Sequence, residues 1–121
     1  MDDDRKEDDR KITIGLVGPC TAGKSLLRSK LEAHGFRVKH IAQEHSFVPD
    51  MWKRLTNPDI LIFLDVTYPT TQTRRKWDFP EADYLEQRRR LAHAQQHADI
   101  YIPTDAFSPD EILEQVLAYL M

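Results

Sequence analysis

The feature that most constrains the fold is a stretch in which an apolar run, a short loop and a helical pattern follow one another. Residues 12–17 are largely apolar, which is typical of a buried strand. Residues 24–34 then place Leu27 and Leu31 on one helical face, and Gly35 follows as a left-handed stop. The stretch therefore predicts a strand, a tight loop and a helix, the repeating unit of a parallel sheet.

The loop itself satisfies the pattern G-x-x-x-x-G-K-[ST] in full, the motif known as Walker A. Its two glycines let the backbone curl so that successive N–H groups point inward, and the helix that follows adds its positive end. Lys24 supplies a mobile charge for the β- and γ-phosphates, and Ser25 supplies a hydroxyl for Mg²⁺. The motif predicts nucleotide binding by Gly18, Pro19, Cys20, Thr21, Ala22, Gly23, Lys24, Ser25 and Leu26.

The rest of the chain continues the alternation of strands and helices. We predict strands at 36–42, 60–66 and 100–102, the second central and the third near an edge because Pro103 follows it. We predict helices at 49–55, 69–77, 80–97 and 109–120, with capping boxes formed by Asp78 with Glu81 and by Ser108 with Glu111. The expected fold class is α/β: a three-layer α/β/α sandwich with a short parallel sheet of about four to five strands.

Composition limits the class of protein and its partners. The chain has 121 residues, and its 17 basic and 20 acidic side chains give a net charge of −3. We therefore expect one domain over 12–121 that binds neither nucleic acid nor membranes. Residues 1–11 hold six acids and four bases, which predicts a charged flexible tail and no signal peptide. No apolar run approaches 18 residues, and a single cysteine fits a reducing compartment, so we expect a cytoplasmic protein.

Two acids are candidates for the second half of a magnesium site. Asp65 closes the most apolar run of the chain, and Glu44 follows the second predicted strand. The carboxyl ends of parallel strands meet at one rim of the sheet, so either carboxylate, or both, could lie beside the phosphate loop. Asp65 could instead cap the next turn, and Glu44 could instead act as a base on an acceptor hydroxyl.

Phosphoryl transfer also needs cations that neutralise charge in the transition state, and two groups of arginines are candidates. Arg74 and Arg75 follow the strand at 60–66, and residues 88–90 are three arginines in the next helix. Adjacent helical residues point about 100° apart, so at most one or two of those three can face one site. His93 and His97 could share a helix face, but they form only half of a metal site.

Cys20 lies inside the loop and allows two interpretations. A small side chain suffices there, and inward-facing amides could also favour a thiolate.

With these motifs in place, the sequence resembles the P-loop kinases, in particular the nucleoside, nucleotide and shikimate kinase group. The segment 58–66 is similar to the strand that precedes their lid, Arg74 and Arg75 fall where lid arginines would, and 98–120 resembles their final strand and helix. The resemblance implies that Asp105, Ala106 and Phe107 lie against the adenine base, and it favours Glu44 over Asp65 as the metal acid.

One departure from that family concerns the acceptor. Only residues 44–59 separate the second strand from the third, where family members insert helices that hold the phosphate acceptor. We therefore expect either a pared-down phosphotransferase that uses Mg-ATP and a small-molecule acceptor, or a nucleotide-binding module that acts through a protein partner. The assigned catalytic residues are Lys24, Glu44, Asp65, Arg74 and Arg75, and the assigned metal ligands are Ser25, Glu44 and Asp65.

Overall fold

The computed structural model describes residues 12–75 and 78–120, which form a four-stranded parallel sheet with helices on both faces. The predicted tail at 1–11 and the last two residues of the predicted helix at 69–77 lie outside the described residues. In chain order the elements are β1 (Thr13–Val17), α1 (Lys24–Ala33), β2 (Arg37–His40), a 3-10 turn (Gln43–His45), α2 (Met51–Leu55), β3 (Ile60–Asp65), α3 (Tyr68–Arg74), α4 (Glu81–His97), β4 (Ile100–Pro103), a second 3-10 turn (Thr104–Ala106) and α5 (Pro109–Leu120).

The strand order is β2-β1-β3-β4, and the three neighbouring pairs are all parallel. The α/β class, the central position of β3 and the edge position of β4 are confirmed. All but the first residue of β3 are buried, as expected of an inner strand whose side chains contribute to both faces of the sheet. The edge strand β2 buries only Val38.

The side chains of β1 and β3 alternate between two cores, as the pleat of a strand requires. Ile14 and Leu16 point to the face covered by α1 and α5, where Leu27, Leu31, Ile112 and Val116 pack. Leu61 and Phe63 point to the opposite face, where Trp52 of α2 and Leu91 and Ala94 of α4 pack. Two separate apolar layers therefore hold the sheet, and its carboxyl rim is left to polar residues.

The two predicted capping boxes have different outcomes. At α5 the Ser108 amide donates to Glu111 (2.8 Å) and the Glu111 amide donates to the Ser108 hydroxyl (3.2 Å), so this capping box is confirmed. The box of Asp78 with Glu81 is wrong: α4 begins after Pro80, which has no side-chain donor or acceptor to cap it. A proline directly before the helix takes the N-cap position and displaces Asp78 from it.

Among residues 12–75 and 78–120, no helix combines the length and the apolar content needed to cross a lipid bilayer.

Candidate functional site

The loop between β1 and α1 lies at the carboxyl rim of the sheet and is fixed by close backbone packing. Gly18 has φ of 154°, and a Cβ placed there would lie 2.0 Å from the Leu64 carbonyl oxygen of β3. Gly23 has φ of 98°, in the left-handed region, although a Cβ there would meet no atom within 4 Å. The first glycine is thus required by space and the second by backbone conformation.

Lys24 begins α1 and turns back over the loop. Its Nζ donates to the Gly18 carbonyl oxygen and, at 2.6 Å, to Oε2 of Glu44. Both side chains are 5% exposed, so this is a buried ion pair. Glu44 reaches the loop because β2 lies beside β1 and the 3-10 turn follows β2 directly. The structure therefore brings together two of the residues that the sequence assigned to catalysis.

The second oxygen of Glu44, Oε1, is buried, and no described residue forms a hydrogen bond to it. A buried carboxylate oxygen without a partner is unfavourable by about 1–3 kcal/mol or more, so such an atom marks a place where a ligand can be held. Magnesium prefers oxygen ligands and keeps several of its waters. The Glu44 carboxylate and the Ser25 hydroxyl, which line the same groove, fit that preference.

Asp65 is placed differently from the expectation that it holds a metal. Arg88 donates to both of its oxygens, at 2.6 and 3.2 Å, and the Tyr101 hydroxyl donates to Oδ2. The Val66 amide adds a bond of 2.8 Å to Oδ1. Both oxygens are therefore occupied by protein donors, and the proposed metal shell below leaves Asp65 out.

Electrostatics at Asp65 follow from these contacts. Burial by itself would raise the pKa of Asp65, but the hydrogen bonds from Arg88 and Tyr101 outweigh it and hold that pKa below its usual value. Burial and the bond to Asp65 raise the pKa of Tyr101 to about 12. The group thus consists of a carboxylate, a guanidinium and a neutral phenol at neutral pH.

We expect the substitution Asp65→Asn to lower the free energy of unfolding at pH 7 by about 2 kcal/mol. Loss of one partner of a buried pair costs about 3–5 kcal/mol, and the 31% exposure of the Arg88 side chain reduces this. Because the folded-state pKa of Asp65 is lowered, its contribution is complete above the unfolded value, about 3.9, and is lost as pH falls through the folded value.

Urea unfolding of both proteins at pH 7, 4 and 3 measures this effect. The difference in the free energy of unfolding between wild type and Asp65→Asn should become smaller as the pH falls. A gap that stays constant down to pH 3 would show that the Asp65 charge contributes nothing.

Arg74 lies at the end of α3 and faces the loop from the other side. Its Nη1 donates to the Thr21 carbonyl oxygen (2.8 Å) and to Oγ1 of Thr104 (3.3 Å). The Arg75 guanidinium lies over the Phe79 ring, 4.4 Å from its centroid. Both arginines line one groove of about 790 Å³ together with Lys24, Ser25 and Glu44.

A second cavity, of about 370 Å³, lies beside the first turn of α1. Leu26, Leu27, Thr104 and Phe107 line it. Of the three residues expected against the adenine base, Phe107 borders this space. Asp105 turns away, since its carboxylate accepts hydrogen bonds from the Thr67 amide (3.1 Å) and the Thr70 hydroxyl (2.7 Å), and Ala106 is not among the lining residues.

The arginines of the second group, residues 88–90, contact different partners, and Nη1 of Arg90 also donates to the Glu44 carbonyl oxygen at 3.4 Å. Arg88 pairs with Asp65, Arg89 pairs with Glu86 at 2.7 Å, and Arg90 bonds Glu86 at 3.1 Å and lies over the Phe47 ring. The three side chains therefore diverge, as their spacing on a helix requires. In this structure each has a protein partner.

Sequence reasoning missed Gln87. Its Oε1 accepts a hydrogen bond from the Cys20 amide (3.0 Å), and its Nε2 donates to the Cys20 sulfur (3.1 Å), so it fixes the loop from α4. The signal was helical spacing: Gln87 lies on the buried face of α4 with Tyr84, Leu91 and Ala94. A polar residue on such a face needs a buried partner.

Trp52, His93 and His97 form an aromatic cluster on the other side of α4. The two imidazole rings lie 4.4 Å apart, centroid to centroid, so they do share a helix face. The Trp52 indole N–H donates to Nδ1 of His93 at 3.1 Å. This bond occupies one ring nitrogen of His93. The two histidines therefore have a packing role beside Trp52.

Comparison of the chain with protein-family models, with curated proteins and with solved structures gives no significant match.

Proposed function

We propose that this protein is a P-loop phosphotransferase that binds Mg-ATP and moves the γ-phosphate to a small-molecule hydroxyl or phosphate acceptor. One observation carries the proposal: the loop, the first turn of α1, Lys24 and Arg74 line one groove of about 790 Å³. The groove thus combines backbone N–H groups, a helix N-terminus and side-chain cations, the chemistry that binds polyphosphate.

The proposed roles follow from each residue's position. The first-turn amides of α1 have no acceptor within the helix and are available to phosphate oxygens. The Lys24 ammonium exchanges its contact with Glu44 for the β- and γ-phosphates. Ser25 and Glu44 hold Mg²⁺, which when bound neutralises charge that develops on the phosphate oxygens.

Two further cavities suggest where the ends of the reaction partners lie. The space beside Leu26 and Phe107 fits a nucleoside, since apolar side chains surround it and it opens beside the loop. A cavity of about 360 Å³ on the other side shares Cys20 and Arg75 with the groove and also contains His45 and Asp83. We assign the acceptor to this cavity of about 360 Å³, a location that requires no inserted helices.

Arg74 is the cation best placed to stabilise charge during transfer, because its contact with Thr21 holds it at the loop. We expect Arg74→Ala to lower acceptor-dependent turnover by about 100-fold, the usual effect of removing one donor to a transition state. ATP affinity should change far less. The exposed Arg54, on α2, provides a matched control, and equal losses in both variants would contradict the role of Arg74.

The alternative is a nucleotide-binding module that hydrolyses ATP slowly or not at all and acts on a protein partner. The observation that favours it is the short connection between β2 and β3, which holds only a 3-10 turn and the five-residue helix α2. Both functions need the same groove, and they differ only in whether an acceptor stimulates turnover.

The test is calorimetry with Mg-ATP, followed by assays of ADP release with a panel of nucleosides, nucleotides and small hydroxy acids. Binding with acceptor-stimulated ADP release supports the phosphotransferase. Binding that no acceptor converts into turnover supports the module. No heat with either ATP or GTP in the presence of magnesium contradicts both.

A further inference from the structure

We propose a second metal site, specific for a thiophilic divalent cation of the Zn²⁺ class, made by Cys20, Glu44 and His45. One ligand atom from each lies within 4.8 Å of the others. The Cys20 sulfur and Nε2 of His45 are 3.9 Å apart, and Nε2 is also 3.9 Å from Oε2 of Glu44. Two neighbouring parallel strands deliver these residues, the loop after β1 and the turn after β2.

The distances are close to those of an assembled site. With zinc bonds of about 2.3 Å to sulfur and about 2.0–2.2 Å to nitrogen and oxygen, tetrahedral ligands are separated by roughly 3.3–3.6 Å. The two separations that involve His45 are therefore a few tenths of an ångström too long, and the separation between Cys20 and Glu44 lies within 4.8 Å. His45 can supply the movement for its own two contacts, because its side chain is 60% exposed and is not held by a core. Any shortening between Cys20 and Glu44 requires the Cys20 sulfur to move toward the carboxylate.

The ligand chemistry distinguishes this site from the magnesium site proposed above. Thiolate and imidazole ligands favour zinc, cobalt or copper over magnesium, which prefers oxygen. The Cys20 sulfur also accepts a hydrogen bond from Nε2 of Gln87, the kind of second contact that orients a metal ligand. Three protein ligands leave a fourth position, and Cys20 and His45 both border the cavity of about 360 Å³.

Lys24 opposes the ion, since its ammonium holds Oε2 of Glu44 at 2.6 Å. Neutralising this lysine should therefore strengthen metal binding, because it frees a buried carboxylate and removes a neighbouring positive charge. The same substitution should weaken nucleotide binding. Opposite signs in one variant separate the new site from the phosphate groove, and the metal site does not rest on the proposed function.

The test uses the full chain with cobalt chloride, without nucleotide and without magnesium. Cys20 is the only cysteine among the 121 residues, so a near-ultraviolet thiolate-to-cobalt band reports this residue alone. We expect the band to saturate at one equivalent and to disappear when zinc chloride displaces the cobalt. Failure to form the band with millimolar cobalt would overturn the proposal.

Variants show which residues complete the shell. Cys20→Ser should abolish the band, and His45→Ala should weaken cobalt binding at least about 10-fold, while Lys24→Met should tighten it by about the same factor. The double variant His93→Ala/His97→Ala is the control, because it removes two neighbouring histidines of α4 that are not part of the proposed site. A band that survives His45→Ala unchanged, or that is lost in the control, contradicts the site.

Discussion

Replacing Lys24 by methionine is expected to lower the affinity for Mg-ATP by at least about 100-fold. The substitution removes a charge-assisted contact to phosphate, worth about 1.5–3 kcal/mol, and it leaves the Glu44 carboxylate without its cation. An unpaired carboxylate at the groove also repels the triphosphate. A combined loss of about 3 kcal/mol corresponds to the stated factor.

Calorimetry with Mg-ATP measures this effect, and Lys39→Met is the matched control because Lys39 is an exposed residue of β2. Lys24→Met should also lower the free energy of unfolding by about 3 kcal/mol, since it breaks a buried pair. The double variant Lys24→Met/Glu44→Gln removes both charges and should regain part of that stability without regaining affinity. Unchanged ATP affinity in Lys24→Met would remove the central residue of the proposed function.

The second large effect is expected for Gly18→Ala, which should lower the free energy of unfolding by about 4 kcal/mol or more. The added Cβ would lie 2.0 Å from the Leu64 carbonyl oxygen, and backbone inside a central strand cannot move aside. A loss of this size is a large part of the total stability of a domain, so a substantial unfolded fraction is expected.

Gly23→Ala is the matched control for this experiment. Gly23 has a left-handed φ of 98° but no atom within 4 Å of an added Cβ, so this variant should lose only about 1 kcal/mol. Circular dichroism during urea unfolding compares the two proteins. Equal midpoints would mean that the approach of Gly18 to β3 is not a constraint on the fold.

The sequence was most informative where local rules act without competition. Apolar runs predicted β1, β3 and β4, whereas β2 was predicted from Val38 and Ile41 among charged residues. The pattern of 109–120 together with Ser108 predicted α5 and its capping box. The position of β3 inside the sheet followed from its continuous apolar character, and the edge position of β4 followed from Pro103. The error at α4 came from a proline that local pattern reasoning did not weigh against Asp78.

The candidate site divides in the same way. Seven of the residues that line the groove of about 790 Å³, Cys20 to Leu26, are contiguous in sequence, so a motif could assign them, whereas the others come from separate segments: His40, Glu44, Arg74 and Arg75. Glu44 and Asp65 were equivalent by pattern, because each follows a strand at the same rim. The two acids differ in their partners. Arg88, 23 positions after Asp65, pairs with Asp65, whereas Lys24 pairs with Glu44. Helical spacing predicted that the side chains of residues 88–90 point in different directions, but it could not predict that Arg88 would pair with Asp65.

By itself, the sequence determined the alternation of strands and helices and the loop that joins β1 to α1, because backbone sterics and hydrophobic periodicity act over a few residues. Only the tertiary structure decided the partners of Glu44, Asp65 and Cys20. These partners come from separate strands and from α4, and a pairing between distant residues depends on how the sheet and its covering helices pack. That packing sets distances which no spacing along the chain contains.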